Sequence, residues 1–568
     1  MKMIYTYIRP RLKGMALQVT IKFGGTIVEL LLPWMLSVIL DDLVPLRDVR
    51  RIVCWGLGMV LCAALALCAN ITANRMATRI SRSITQQLRR DLFTRTAHLS
   101  CAQEDMFTTP SLVARLTTDT YHVYQMIDRM QRLGIRAPIL LLGGTALTLL
   151  LDPVLTMVLA AVMVLLAVIV RQVSKRGVTL YGKTQQALDR MLRRAQESMA
   201  GIRVIQALSK SDYEKQRFDE ANADVVRCER RAAALMNITN PVMNFLLNTG
   251  LVCVIVVGAY RVNAGVTGPG AIIAFMSYFT IILNALLMVT RLFVMYSKGV
   301  ASANRIAEVM NSEKQMEPQP VPVRDEESCI AFDHVTFSYG KMRDNLTDIS
   351  FSLNKGETLG IIGPTGSGKS TILNLLLRFY DPDKGSVRIG GRDVRSIPHE
   401  VLHTMFGVVF QNDFLYAGSI AEDIDFGRGL SRERIEAAAC TAQAEFIAGR
   451  EEGFEYELVP KGANLSGGQK QRLLLARAMA ASPDILLLDD SSSALDYKTD
   501  AELRRALARD FADTTKIIVA QRVSSIRNAD KILVLEDGKA VGYGTHDELM
   551  DTCESYRFIV SVQMEEVS

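Results

Sequence analysis

The sequence has no paired cysteines. Nine Cys are scattered through 568 residues, several of them inside apolar runs (Cys62, Cys68, Cys253). None has the spacing of a metal site or a disulfide framework, so they read as small buried hydrophobes in a reducing compartment. Charge of one sign is also scarce. The formal net charge is +5, too mild to argue for nucleic acid, and no nucleic-acid partner is expected. The opening stretch MKMIYTYIRPRLKG has no cleavable-leader pattern.

Apolar residues are abundant, at 49% with a mean hydropathy of +0.16. Both figures average two unlike parts. Long apolar runs crowd the chain before Glu317, and charged, glycine-punctuated segments follow it. A chain of this length exceeds one ordinary domain. The expected division is a membrane domain over 1–308, a linker over 309–327 that includes the proline-rich EPQPVPVRDEES, and a second domain over 328–568.

A spanning helix needs about 20 mostly apolar residues. Six candidates are Val19–Leu40, Ile52–Ile71, Ile135–Leu151, Val154–Val170, Val242–Tyr260 and Ala271–Val294. The third and fourth are separated only by Asp152 and Pro153, which predicts a tight hairpin. The connections Thr72–Gly134 and Arg171–Asn240 carry the arginines (Arg75, Arg79, Arg82, Arg89 and Arg90 in the first) and have few Gly or Pro. The positive-inside rule places both in the cytoplasm, and six spans place both termini there too. This predicts a multi-pass plasma (inner) membrane protein embedded in the bilayer. Both connections read as helices prolonging the spans, and TTPSLVARLTTD (Thr108–Asp119) reads as the turn and short helix at the tip of the first. Glu29 lies inside the first span, and Asn244, Asn248, Asn284 and Arg291 lie in or near the last two. Intramembrane polar groups either contact substrate or bond neighbouring helices.

The second domain opens with LGIIGPTGSGKST: an apolar strand, a glycine loop and a helix start. It fits G-x-x-x-x-G-K-[ST] from Gly363 to Ser370. Gly363, Gly366 and Gly368 let backbone N–H groups turn inward around phosphates, and the helix N-terminus adds its dipole through Thr371. Lys369 supplies a charge for the β- and γ-phosphates, and Ser370 a hydroxyl for Mg²⁺. ILLLDD is the matching buried strand and puts Asp489 near the metal. ATP and Mg²⁺ are the expected ligands. A second polar, glycine-rich turn opens a helix at LSGGQKQRLLLARAMA, with Ser466, Gly467, Gly468 and Gln469. A second phosphate-reading turn makes sense in a dimer in which each turn closes on the other subunit's ATP.

By its LSGGQ signature, the chain resembles a half-transporter of the ATP-binding cassette (ABC) exporter type. The resemblance covers nearly its full length. It implies an all-α polytopic membrane domain of six helices with long cytoplasmic extensions, followed by an α/β P-loop ATPase domain. It further implies that Tyr339 stacks on adenine and that Gln411 is the Q-loop glutamine, touching Mg²⁺ and facing the membrane domain. Ser466 and Gly468 would read the opposite γ-phosphate, Ser493–Asp496 would form the D-loop, and TTPSLVARLTTD would act as a coupling helix.

Two positions depart from the family pattern. Where the family has a glutamate after the Walker B aspartate, this chain has Asp490. Where it has the switch histidine, this chain has Gln521. LVPKGANLSGGQ also lacks the glutamate usual just upstream of the signature. One methylene withdraws a carboxylate by roughly an ångström, and such misplacement can cost about 10²-fold in rate. Glutamine cannot carry the charge a histidine can. The binding groups are intact and the hydrolysis groups weakened, beside a complete signature. That combination resembles the degenerate-site subunit of heterodimeric bacterial multidrug exporters. It implies export of a small amphipathic molecule with a second half-transporter bearing the consensus Glu and His. The alternatives are a homodimer with slow Asp-assisted hydrolysis, an exporter-shaped importer of metal chelates, and an ATP-gated regulator or channel.

Overall fold

A computed structural model describes residues 2–313, 316–324, 328–341, 343–411 and 413–565. The chain divides into two compact units: Met1–Ala97 with Thr109–Ser312, and His98–Thr108 with Glu313–Ser568.

The first unit is helical. Its long helices are Leu12–Val38, Val49–Ala97, Thr120–Leu151, Pro153–Ala200, Ser211–Asn263 and Pro269–Met310. At 1.5 Å per residue, the 49-residue second helix is about 74 Å long, more than twice the roughly 30 Å hydrocarbon core. Its apolar start can cross a bilayer, and its arginine-rich remainder continues as helix beyond it, as the sequence predicts. Among the described residues, five segments are long and apolar enough to cross a membrane: Met3–Leu43, Val49–Ala97, Thr109–Leu151, Pro241–Asn263 and Pro269–Val289. The expected fourth span corresponds to a shorter apolar helix, Pro153–Ile169. Cys68 and Cys253 are exposed rather than buried. They lie in apolar segments whose natural surroundings are lipid.

The Asp152–Pro153 hairpin has a clear cause. Asp152 is extended, and its carboxylate accepts the N–H groups of Val154 and Leu155 at 2.8 and 3.2 Å. Pro153 sits where a helix has no use for an N–H. The other carboxylate oxygen accepts from Arg261 Nε at 2.5 Å, which ties the hairpin to the end of the fifth helix. Asp41 does the same for the sixth helix, accepting from the N–H groups of Gly270 and Ala271 at 2.6 and 2.7 Å. The core of this unit includes Phe275, Tyr278, Phe279 and Ile282. The buried Tyr278 hydroxyl donates to the Leu30 carbonyl at 2.5 Å.

The tip of the first connection holds one helix more than expected. The turn and short helix expected in TTPSLVARLTTD are there, at Thr108 and Thr109–Ala114, and a further short helix, Cys101–Phe107, precedes them. Ser100 caps it through a reciprocal box with Gln103, a pattern of S-x-x-Q that local hydrogen bonding favours. Thr108 has φ 61° and breaks the run. Thr109–Ala114 and the π turn Arg115–Asp119 then lead into the returning helix. It is the earlier helix that belongs to the second compact unit. There Gln103 Nε2 donates to the Glu313 carbonyl at 2.7 Å, and the Tyr380 hydroxyl donates to Asp105 at 2.6 Å.

The second unit holds twelve strands among its described residues: β1 Ile330–Phe337, β2 Leu346–Leu353, β3 Thr358–Ile362, β4 Lys384–Ile389, β5 Arg392–Asp393, β6 Phe406–Val409, β7 Gly418–Ser419, β8 Glu457–Leu458, β9 Ile485–Asp489, β10 Thr515–Val519, β11 Lys531–Glu536 and β12 Lys539–Gly544. The main sheet runs β12-β11-β3-β10-β9-β6 and is parallel except for β12. An antiparallel sheet, β2-β1-β4-β5, lies beside it in the same unit. Every residue of β9 is buried. A parallel strand covered on both faces needs a continuous apolar run, and ILLL supplies it.

Replacing Ser100 with Ala should cost about 1 kcal/mol of local helix stability. Hydrogen–deuterium exchange of the Cys101–Phe107 amides should quicken while that of β9 stays unchanged. Equal exchange in the tip helix of variant and parent would show that the cap does not hold it.

Candidate functional site

The site sits at the C-terminal ends of neighbouring parallel strands, the usual ligand position in open α/β sheets. β3 runs into the glycine loop and the helix Lys369–Leu376. Gly368 has φ +98°, and a Cβ there would lie 2.6 Å from Leu346 Cδ2 and 2.9 Å from the Asn345 carbonyl. Only glycine fits. β9 ends on Asp489, which pairs in register with Val519 of β10; Gln521 follows two residues later.

These elements enclose a cleft of about 230 Å³ lined by Thr365, Gly366, Gly368, Lys369, Ser370, Thr371, Gln411, Asp489, Asp490 and Gln521, together with Asn345 and Val519. Nine residues expected from the motifs thus meet in one place. Gly363 contributes its carbonyl, which accepts from Lys369 Nζ at 2.8 Å beside that of Pro364, also at 2.8 Å. Ser370 Oγ donates to Asp489 Oδ2 at 2.8 Å.

The donor set fits Mg²⁺ with ATP. Mg²⁺ favours hard oxygens, with one or two carboxylates and the remaining positions left to waters and phosphates. A hydroxyl, a carboxylate and the Gln411 amide meet that need. Among the described residues no group of three or more His, Cys, Asp or Glu forms a self-sufficient cage. Burial lowers the Lys369 ammonium's proton affinity, opposed by Asp489 and Asp490. Burial likewise raises the Asp489 carboxyl, opposed by the Ser370 hydrogen bond and Lys369. Each is a desolvated charge awaiting a partner of the opposite sign. Bound Mg²⁺ would supply a counter-charge to the phosphates; Lys369 and the loop N–H groups orient them.

Gln521 Nε2 donates to Asp490 Oδ2 at 3.0 Å. Asp490 has φ 53°, and its backbone carbonyl accepts from Gln471 Nε2 at 3.2 Å and Ser493 Oγ at 3.0 Å. Burial raises the Asp490 carboxyl, against the charges of Arg522 and Lys369. The two altered positions are therefore direct partners.

The signature lies apart from this cleft. Ser466 caps the helix Gly467–Met479 through a box with Gln469, with bonds of 3.1 and 3.3 Å. Asp496 caps Tyr497–Asp510 by accepting from the Thr499 N–H at 2.9 Å. Both caps leave helix N-termini whose free N–H groups suit an anion.

A family model for the "ABC transporter transmembrane region" matches residues 15–286, and one for "ABC transporter" matches 346–493. The Bacillus subtilis (strain 168) protein YfiB, described as an uncharacterized ABC transporter ATP-binding protein, is 35% identical over 540 residues, 94% of each chain. The chain belongs to the ABC transporters. YknU of the same organism, another ABC transporter ATP-binding protein, is 30% identical over 547 residues, 95% of this chain and 94% of its own. A solved structure of a bacterial Atm1-family ABC exporter with ATP bound is 25% identical, with a TM-score of 0.82 and 98% of each chain covered. The fold is that of an ABC exporter: a helical membrane domain followed by an ABC nucleotide-binding domain.

Tyr339 does not line the phosphate cleft of this ABC transporter. It lies in a larger cleft of about 1020 Å³ with Phe337, Tyr380 and Asp105, edge-on to Tyr380 at 5.0 Å. Asn345, which no motif announced, joins the two clefts: it lines the first and accepts the Tyr339 N–H at 3.0 Å. Arg477 was also missed. From the signature helix it binds Asp413 at 2.8 Å and the Phe414 carbonyl at 2.8 Å, two and three residues past Gln411. Its hint was an arginine in the last turn of a largely apolar stretch of helix.

The membrane candidates do not converge. Glu29 is paired with Arg136 at 2.5 Å. Asn248 returns its amide to the Asn244 carbonyl at 2.9 Å. Asn284 is exposed. The Arg291 side chain lies outside the described residues.

Gly368→Ala should weaken ATP binding severely because it combines φ strain with a steric clash. Gly366→Ala should act more mildly: Gly366 has φ +84° but no atom within 4 Å of a Cβ, leaving a left-handed penalty of about 1–2 kcal/mol. Calorimetric ATP affinities of the two variants check this; equal losses would contradict the steric account.

Proposed function

We propose that this chain is one half of a heterodimeric exporter of small amphipathic molecules and holds ATP in a site that turns over slowly. One observation carries the reading: the Gln521 amide donates to Asp490 at 3.0 Å, at the two positions where the family has its catalytic carboxylate and switch histidine. A general base must reach a water at about 2.6–3.2 Å. Asp490 is one methylene short of that reach, and one of its oxygens is already engaged by a neutral amide. Gln521 cannot take up or release a proton in response.

The complete signature supports the second half of the proposal. Ser466, Gly467, Gly468 and Gln469 stand outside the chain's own phosphate cleft. In a head-to-tail dimer they serve ATP held by the other subunit. That subunit is expected to carry the consensus Glu and His. The apolar helices and arginine-rich extensions support an inner-membrane location with six spans and the ATPase domain in the cytoplasm.

A homodimer with slow Asp-assisted hydrolysis is the second reading. It is favoured by the upward shift that burial gives the Asp490 carboxyl, which makes it a stronger base where it can reach.

Restoring both residues tests the proposal. Asp490→Glu with Gln521→His should raise hydrolysis of the ATP bound to this chain by roughly tenfold or more. Asp490→Asn should lower total ATPase only modestly. Subunit-resolved trapping of labelled nucleotide checks both. A collapse of turnover in Asp490→Asn would identify this aspartate as a working base and overturn the degenerate-site reading.

A further inference from the structure

The cytoplasmic continuation of the second long helix carries arginines at helical spacing. Arg75, Arg79 and Arg82, with Arg132 of the third long helix, line a cleft of about 870 Å³ whose other walls are Asn74, Thr78 and Ile71. Arg82 continues into a neighbouring cleft of about 1040 Å³ with Arg89, Arg90, Phe93, Tyr121 and Tyr124. Positions three and four apart share one helix face, so these guanidiniums form a stripe. No carboxylate lines either cleft among the described residues.

Arginines are expected on cytoplasmic extensions whatever their function, and the arms of the fourth and fifth helices carry both paired and unpaired ones. Arg190 and Arg227 pair with Asp224 at 3.2 and 2.8 Å, Arg217 with Glu214 at 2.6 Å and Arg194 with Glu197 at 3.6 Å, while Arg193, Arg203, Arg230 and Arg231 are exposed without an ion pair among the described residues. In the cleft, Arg132 binds Asp128 at 3.1 Å and Arg89 donates to Thr120 at 3.3 Å. Arg75, Arg79 and Arg82 are exposed and make no ion pair or hydrogen bond among the described residues. Topology requires positive charge on this side. It does not require three unpaired guanidiniums on one concave wall.

We propose that this wall receives the anionic group of the transported molecule, so that the substrate is an amphipathic organic anion, a carboxylate or phosphate ester with an apolar body. Guanidinium forks match carboxylate and phosphate oxygens in pairs. Ile71 closes the apolar run one turn before Arg75, so an apolar body and an anionic head find their partners in sequence along one face. A cation would meet three like charges in a concave, field-focusing site. The proposal deepens the export reading and rests on it for the word transported; the anion site itself does not.

The test uses the transporter purified through a tag on this chain, with whatever second half accompanies it. Fluorescence anisotropy without ATP measures binding of carboxyfluorescein, an anionic dye, and rhodamine 123, a cationic one. Carboxyfluorescein should bind with a Kd that rises with salt. In Arg75→Gln/Arg79→Gln/Arg82→Gln it should weaken about tenfold or more, while the corresponding triple Lys variant, which keeps the charge but loses the fork, should fall between that variant and the parent. Rhodamine 123 binding should not respond to either variant. Displacement by phosphatidylglycerol vesicles but not by phosphatidylcholine would make an anionic lipid headgroup the source; displacement by neither would make it a soluble anion. A salt-independent Kd, an unchanged Kd in the Gln variant, or tighter binding of rhodamine 123 would overturn the proposal, and the salt titration decides it alone if the Gln variant does not fold. ATP-dependent dye uptake into inverted vesicles is the separate readout: binding without uptake keeps the anion site and sinks the transport reading.

Discussion

A hydroxyl and a carboxylate 119 residues apart in sequence meet at 2.8 Å, Ser370 Oγ to Asp489 Oδ2. That contact forms only if β3 and β9 stand in one sheet with β10 between them, in register, and end at the same level. The buried apolar runs exist to hold those strands. The glycine loop then has one path around the phosphates, with Lys369 folded over its own carbonyls. Desolvation raises the Asp489 carboxyl and lowers the Lys369 ammonium, so the site favours a ligand that brings both anionic oxygens and a hard cation.

The same geometry bears on the hydrolysis step. Asp490 follows Asp489 directly and cannot be moved without moving the metal-side carboxylate. Its reach depends on its own side-chain length and on whatever stands at position 521. In this chain, 521 is an amide that donates to it. In the proposed reading binding belongs to the strand ends and the loop, and hydrolysis to two side chains at their rim.

Much of this was legible in the sequence because the responsible interactions are local. Glycine spacing dictates the loop, a four-residue apolar run dictates a parallel strand, and Asp152–Pro153 dictates a helix start. Ser100 and Gln103 also form a local cap, yet the extra helix it opens went unforeseen, because its residues read as a continuation of the long helix before it. What escaped was long-range. Arg136 sits 107 residues from Glu29, and nothing in either neighbourhood announces the pair. Asn345 and Arg477 belong to no motif and act by reaching across loops. The pairing of Gln521 with Asp490 could not be read either, although each was recognised as an alteration. The unpaired state of Arg75, Arg79 and Arg82 is likewise a property of the fold, since composition alone cannot tell a solvated arginine from one left without a carboxylate.

The central claim is that this chain holds ATP in a site that turns over slowly. The direct measurement is the chemical state of the nucleotide on each subunit. The purified transporter would be loaded with α-labelled azido-ATP, allowed many turnovers, and crosslinked. The nucleotide attached to each chain would then be identified as di- or triphosphate. The account predicts that triphosphate persists on this chain while diphosphate accumulates faster on its partner. Diphosphate appearing on both subunits at the same rate would contradict it.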